Sequence, residues 1–146
     1  MQVVEPIDEE FKFEGRAIVS ETDLNGIITF ANRKFCEISG YTKEELIGQP
    51  HNIIRHPDMP KKAFETMWNT IKQGSVWSGL VKNLRKDGRY YWVETTITPI
   101  QDETGAITKY AAACKGASET AIEEAEALYE HLRSEEQNHN VKKALC

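Results

Sequence analysis

Three β-rich runs follow one another in the second half of this chain, each parted from the next by a glycine-containing turn. Residues 76–84, 90–100 and 107–115 read as strands, the second of them long and rich in Trp, Val and Thr, residue types that fit a pleated, half-buried surface. Lys86-Asp87-Gly88 and Asp102-Glu103-Thr104-Gly105 supply the turns. Two shorter runs, 17–20 and 27–31, flank Asp23-Leu24-Asn25-Gly26, where Asn-Gly provides the positive φ angles of a tight hairpin. Helical signals fill the space between these groups. Asn32 is placed to cap a short helix that Gly40 ends, and Thr42-Lys43-Glu44-Glu45 has the form of a capping box. Ala63, Phe64, Met67, Trp68 and Ile71 recur at helical spacing, with Gly74 as C-cap. Strands grouped by hairpins, with the helices segregated between them, predict an α+β domain: a five-stranded antiparallel sheet with short helices over one face.

Beyond Gly116 the pattern changes. Ser118 is placed to cap a helix over 118–134, with a frayed tail over 135–146. Ile122, Ala125, Tyr129 and Leu132 recur at 3-4-3 spacing, close to a coiled-coil seam, so a homodimer or a partner helix is expected there. Residues 1–16 read as a lead-in, 17–117 as the domain proper, and 118–146 as a signalling or dimerisation helix and tail. A chain of 146 residues with 40% apolar and 28% charged residues has enough material for one such core. No apolar run approaches the roughly 20 residues of a spanning helix, and the acidic N-terminus lacks the features of a secretory signal. The expected compartment is therefore the cytoplasm. The net charge of −5 speaks against a nucleic-acid partner. Cys36, Cys114 and Cys146 are too scattered for a metal-ligand set. The chain has no nucleophile elbow, phosphate loop or carboxylate pair, so no catalytic residues are expected.

The element order is that of PAS domains, and the motifs agree with it. Residues 23–32, the run Gly40-Tyr41-Thr42-Lys43-Glu44-Glu45-Leu46-Ile47-Gly48, then Lys86-Asp87-Gly88, Trp92 and Pro99-Ile100 resemble PAS segments in order and spacing. A narrower resemblance rests on Arg55-His56-Pro57-Asp58-Met59-Pro60, Met67-Trp68, Val76-Trp77-Ser78-Gly79, Val81-Lys82-Asn83 and Tyr90-Tyr91-Trp92-Val93. These segments look like the sensing domains of bacterial aerotaxis receptors and related energy-taxis proteins. The resemblance implies bound FAD, with FMN and haem as lesser alternatives, and a redox or oxygen sensor that signals to a chemoreceptor domain or transducer partner.

A flavin needs flat apolar walls, amides for its pyrimidine edge, and polar or cationic groups for its phosphates. Trp77, Gly79, Val81 and Asn83 alternate along one strand and so share a face; Tyr91, Val93, Thr95 and Ile97 do so on the next, and Tyr110, Ala112 and Cys114 on the last. Asn83 is the candidate amide, Trp77 and Tyr91 the candidate walls or plain core, and Cys114 a thiol contact or a small hydrophobe. Trp68 belongs either to the helix core or to the ring. Through the resemblance, Arg55 and His56 are assigned to the cofactor, with Asp58 of the same polar cluster as a further candidate; the residues alone leave open an Arg55–Asp58 pair, a turn fixed by His56, and Asp58 as a helix cap. Asn32 is divided between cap and ligand. Relative to light-oxygen-voltage domains, His51 stands where their reactive cysteine lies, Cys114 where they carry a glutamine, and Val93 where they carry an asparagine, so no photoadduct is expected. His51 and His56 keep a haem ligand open, and a cofactor-free interaction module is the remaining alternative.

Overall fold

The computed structural model describes residues 3–13 and 17–145; the expected boundary near residue 16 and Cys146 lie outside them. The strands are β1 (Ile18–Thr22), β2 (Ile28–Ala31), β3 (Trp77–Leu84), β4 (Tyr90–Gln101) and β5 (Ile107–Gly116). They form one antiparallel sheet in the order β2-β1-β5-β4-β3. Between β2 and β3 come α1 (Arg33–Ser39), α2 (Lys43–Leu46), a 3-10 turn over His51–Ile54, and α3 (Lys61–Lys72). The fold class is the one expected from the hairpins, α+β with a C-terminal helix.

Local chemistry fixes these elements. Asn32 accepts from the Phe35 amide at the start of α1, and Gly40 closes that helix in the left-handed region. Thr42 and Glu45 form the capping box of α2. In the first hairpin only Gly26 takes a positive φ, 82°. Asp23 Oδ1 accepts the Asn25 and Ile27 amides there, so an Asx turn does the work expected of an Asn-Gly pair.

The two faces of the sheet are covered differently. Over the inner face lie α1, the 3-10 turn and α3, burying Ile28, Phe35, Leu46, Ile54 and Val93. Over the outer face lies α4 (Glu119–Leu145). The Ser118 hydroxyl accepts from the Ala121 amide at its start. The helix runs on to Leu145, past the end expected at residue 134. Its seam is also spent differently from expectation: Ala125 and Tyr129 are buried, with Ile122 and Leu132 packed beside them, in the protein's own core. Tyr129 stacks on Trp92 at 6.2 Å and donates from its hydroxyl to the Leu80 carbonyl at 2.6 Å. An apolar stripe of this spacing fits a partner helix or a sheet face equally, and here the sheet is nearer.

The N-terminal segment pairs with the strand ends. Glu10 forms a parallel bridge to Tyr90, and Phe11 lies under the Arg85 and Arg89 guanidiniums. Arg85 donates to the Glu37 and Ile38 carbonyls at the C-terminus of α1, which favours a cation. No helix among the described residues is long and apolar enough to cross a membrane.

Candidate functional site

Between the inner face and α3 lies a cavity of about 300 Å³, at the small end of ligand cavities, which span roughly 300–1,000 Å³. The sheet contributes alternate residues from four strands: Ile18, Ser20 and Thr22; Val81 and Asn83; Tyr91, Thr95 and Ile97; and Tyr110, Ala112 and Cys114. Period-two alternation puts these on one side. The opposite wall is Phe35 from α1, His51 and Arg55 around the 3-10 turn, and Phe64, Met67 and Trp68 from α3. Aromatic and aliphatic carbon dominates, with a few polar groups set into it.

Two of those polar groups are unpaired. The Tyr91 hydroxyl and Arg55 Nε are buried without a hydrogen-bond partner. The Asn83 amide sits near enough to the Tyr91 phenol to favour its ionised form slightly, but desolvation dominates and drives that group well above its usual range; no hydrogen bond of good geometry closes. Buried orphans of this kind cost about 1–3 kcal/mol each, so they point to a polar ligand edge that would satisfy them. Arg55 stacks on the Phe64 ring at 3.6 Å, and burial lowers its pKa. Its backbone bridges to Asn83, which ties the turn to β3. The Cys114 thiol is pushed up to about 11 by burial and lies 3.4 Å from the Thr95 hydroxyl, so it stays protonated. Desolvation holds His51 neutral down to about 4, and its Nε2 meets the Ser20 hydroxyl at 3.2 Å.

Of the sequence-derived candidates, Arg55, Trp68, Asn83, Tyr91 and Cys114 line the cavity. Trp68 closes one side, its ring against Gly26 and edge-on to Tyr110. A Cβ on Gly26 would sit 3.1 Å from that ring.

The other four candidates lie elsewhere. Asn32 is fully engaged as a cap, with Oδ1 accepting from Phe35 and Nδ2 donating to the Ala17 carbonyl. Trp77 shares the inner face but folds back across Gly79, where a Cβ would come within 2.6 Å of the indole. His56 Nδ1 accepts the Asp58 amide at 3.0 Å and so fixes the turn; desolvation, aided by Lys82, lowers its pKa to about 4. Asp58 does not cap α3. Its carboxylate pairs with Lys82 at 2.9 Å on the outer side of β3. The first turn of α3 instead has its Lys62 amide held by Glu136 of α4 at 3.0 Å.

Sequence reasoning passed over Ser20 and Thr22, placed Phe64 on a helix face and Tyr110 on a strand face without naming either as a site residue, and assigned His51 no flavin-site role. Ser20 and Thr22 left a readable trace as polar residues two apart, sharing the face of Ile18.

Comparison with known proteins adds the family. A family model described as the PAS fold matches residues 28–114, more than half of the chain. The aerotaxis receptor of Escherichia coli (strain K12) is 46% identical over 128 residues, covering 88% of this chain and 25% of that receptor. The chain therefore spans about a quarter of that relative's length. A PAS domain from Colwellia psychrerythraea superposes with a TM-score of 0.60 at 28% identity, over 69% of this chain and 86% of that one. A light-oxygen-voltage domain studied with a flavin analogue superposes at 0.64 over 87% of both chains, at 20% identity, a likeness of fold alone. This chain belongs to the PAS family, in the branch of aerotaxis-receptor sensing domains.

Proposed function

We propose that the cavity binds a flavin, FAD in the first place and FMN in the second, and that the domain reports the redox state of that flavin to a chemotaxis signalling partner. The observation that carries this reading is the pairing of ring-sized apolar walls with two buried orphans, Tyr91 Oη and Arg55 Nε. A flavin supplies reversible electron transfer on a flat ring with a polar pyrimidine edge. Tyr91 and Asn83 are placed to hydrogen-bond such an edge. Arg55 is the cation at the cavity wall, and Trp68 and Phe64 are flat surfaces for stacking. The volume suits the ring system, so the rest of a dinucleotide would extend beyond it. The neutral Cys114 and His51 offer hydrogen bonds without adding charge. Haem is served less well, because the Nε2 of His51, the cavity imidazole, is engaged by Ser20. The resemblance to the aerotaxis receptor supports a taxis role, with a chemoreceptor signalling domain as the listener. A homodimer would have to use surface other than the Ile122–Leu132 stripe, which packs on the sheet.

The test is an absorption spectrum of protein incubated with FAD and freed of excess, before and after dithionite. Flavin bands that co-elute and bleach support the reading. A haem band in the protein as purified moves the case to haem, and a colourless eluate leaves a cofactor-free interaction module.

A further inference from the structure

The cavity has a floor and two walls that are firmly held. The paired strands of the sheet make the floor. Phe35, 1% exposed, fills the α1 side, and the turn carrying Arg55 is bridged to Asn83 of β3. The remaining side lies between the β1–β2 hairpin and α3. There the lining residues Asn25 and Asn52 are exposed, which marks the mouth.

The two lips of that mouth are built differently. One is backbone. The His51 amide donates to the Gly26 carbonyl at 2.9 Å, and Ile27 bridges to Pro50, so the hairpin is tied to the 3-10 turn. Asp23 Oδ1 holds the hairpin from within by accepting the Asn25 and Ile27 amides. The other lip is one side chain, Trp68. Its indole is held by the edge of the Tyr110 ring at 5.8 Å and by the Lys72 ammonium 5.5 Å from its centroid, contacts that a change of rotamer breaks without unpairing any backbone group. The ring rests on Gly26, where a Cβ would lie 3.1 and 3.2 Å from two of its carbons, inside the roughly 3.5 Å at which carbons meet. Only glycine leaves the ring this seat, and Gly26 also takes a φ of 82°.

We propose that Trp68 is the gate of the cavity and Gly26 its seat: molecules enter and leave between the hairpin and α3 when the indole swings off the glycine, so this pair sets how fast the cavity exchanges its occupant. A gate changes entry and exit by the same factor and leaves affinity alone, because both directions cross the same opening. It serves any occupant and so stands apart from the flavin reading.

The Cys114 thiol lines the cavity and reports its opening with no ligand present. Methyl methanethiosulfonate is added to the intact chain at fixed pH, and labelling of Cys114 and Cys36 is followed separately by peptide mass spectrometry. Cys36 lies on α1, away from the lining, and is the internal control. Gly26→Ala wedges the ring off its seat, and Trp68→Phe shortens the gate. Each should speed Cys114 labelling by about tenfold with Cys36 unchanged; Trp68→Phe carries the test if alanine at this φ melts the hairpin. Unchanged Cys114 labelling, or equal acceleration of both thiols, overturns the gate. With FAD as the occupant, Gly26→Ala should raise the rates of uptake and release together at constant affinity. A release rate that rises alone would mean a lost ligand contact and overturns the gate as well. If no FAD binds at all, the flavin reading falls and Cys114 still decides the gate.

Discussion

Adjacent residues of β4 meet opposite surroundings. Tyr91 faces inward among α1, α3 and three other strands and is 1% exposed. Trp92 faces outward and is covered by a single helix through one stacked ring. The inner face is closed by elements held with paired caps, a capping box and deep aliphatic packing. The outer face is closed by an acidic helix that packs Ile122, Ala125, Tyr129 and Leu132 on the sheet and adds polar contacts from Tyr129, Arg133 and Glu136. The difference teaches that one sheet carries a side densely packed around a cavity and a more thinly covered side, and that the turn over residues 55–60 touches both. Low-stability elements are the ones from which moving parts are drawn.

The comparison breaks if the two faces respond alike to truncation. Phe35→Ala removes a ring that is 1% exposed on the inner side and should cost about 3–5 kcal/mol of global stability, read as a lower midpoint in urea with the slope unchanged. Tyr129→Ala should cost about 2 kcal/mol, and the loss should be confined to α4, seen as faster exchange there with little shift of the global midpoint. Equal global losses would mean that α4 is part of the same cooperative unit.

Acid sharpens the contrast. His51 on the cavity wall and His56 in the turn both titrate near 4 when folded, against 6.5 as the ordinary value. Unfolded imidazoles take up protons at 6.5 while the folded ones do not until about 4. The stability these groups contribute is therefore full above pH 6.5 and is lost as pH falls to about 4, by at most about 1.4 kcal/mol per pH unit for each histidine. His56→Gln should flatten the pH dependence between those limits, measured by urea unfolding at a series of pH values. A variant with the wild-type slope would show that His56 titrates normally.

The smallest effect is the most pointed. Tyr91→Phe deletes the orphaned hydroxyl and should leave the ligand-free protein as stable or more so by about 1 kcal/mol, a gain read from thermal melts. A loss of that size would mean that the hydroxyl has a partner.

Much of this was legible in the chain. The hairpin turns, the caps Asn32, Thr42 and Ser118, and the period-two faces of β3, β4 and β5 are local chemistry, and local chemistry shows in sequence. Five of nine expected site residues came to the cavity: Asn83, Tyr91 and Cys114 because strand alternation assigns faces reliably, Trp68 through the helical spacing of α3, and Arg55 from the turn before it. Of the misplaced ones, Asn32 and His56 are spent on local caps and turns, Trp77 on a rotamer, and Asp58 on a distant partner. Trp77 lies back over Gly79, which no pattern along a strand foretells. Asp58 lies three residues before the start of α3 and looked like its cap, but Lys82 on β3 holds it, and Glu136, 74 residues beyond Lys62, accepts the Lys62 amide in the first turn. The α4 seam was visible, and what it packs against was not, because apolar spacing specifies a surface and leaves its partner open.

The most direct test of the central claim is a titration of FAD into the wild-type protein and into Ala112→Leu, which thickens the inner wall at a small residue while leaving α4 alone. One flavin per wild-type chain, with affinity at least about tenfold weaker in Ala112→Leu at unchanged melting temperature, is the result expected of a cavity-bound ring. Equal affinity in the two proteins, or no binding to the wild type, would contradict it.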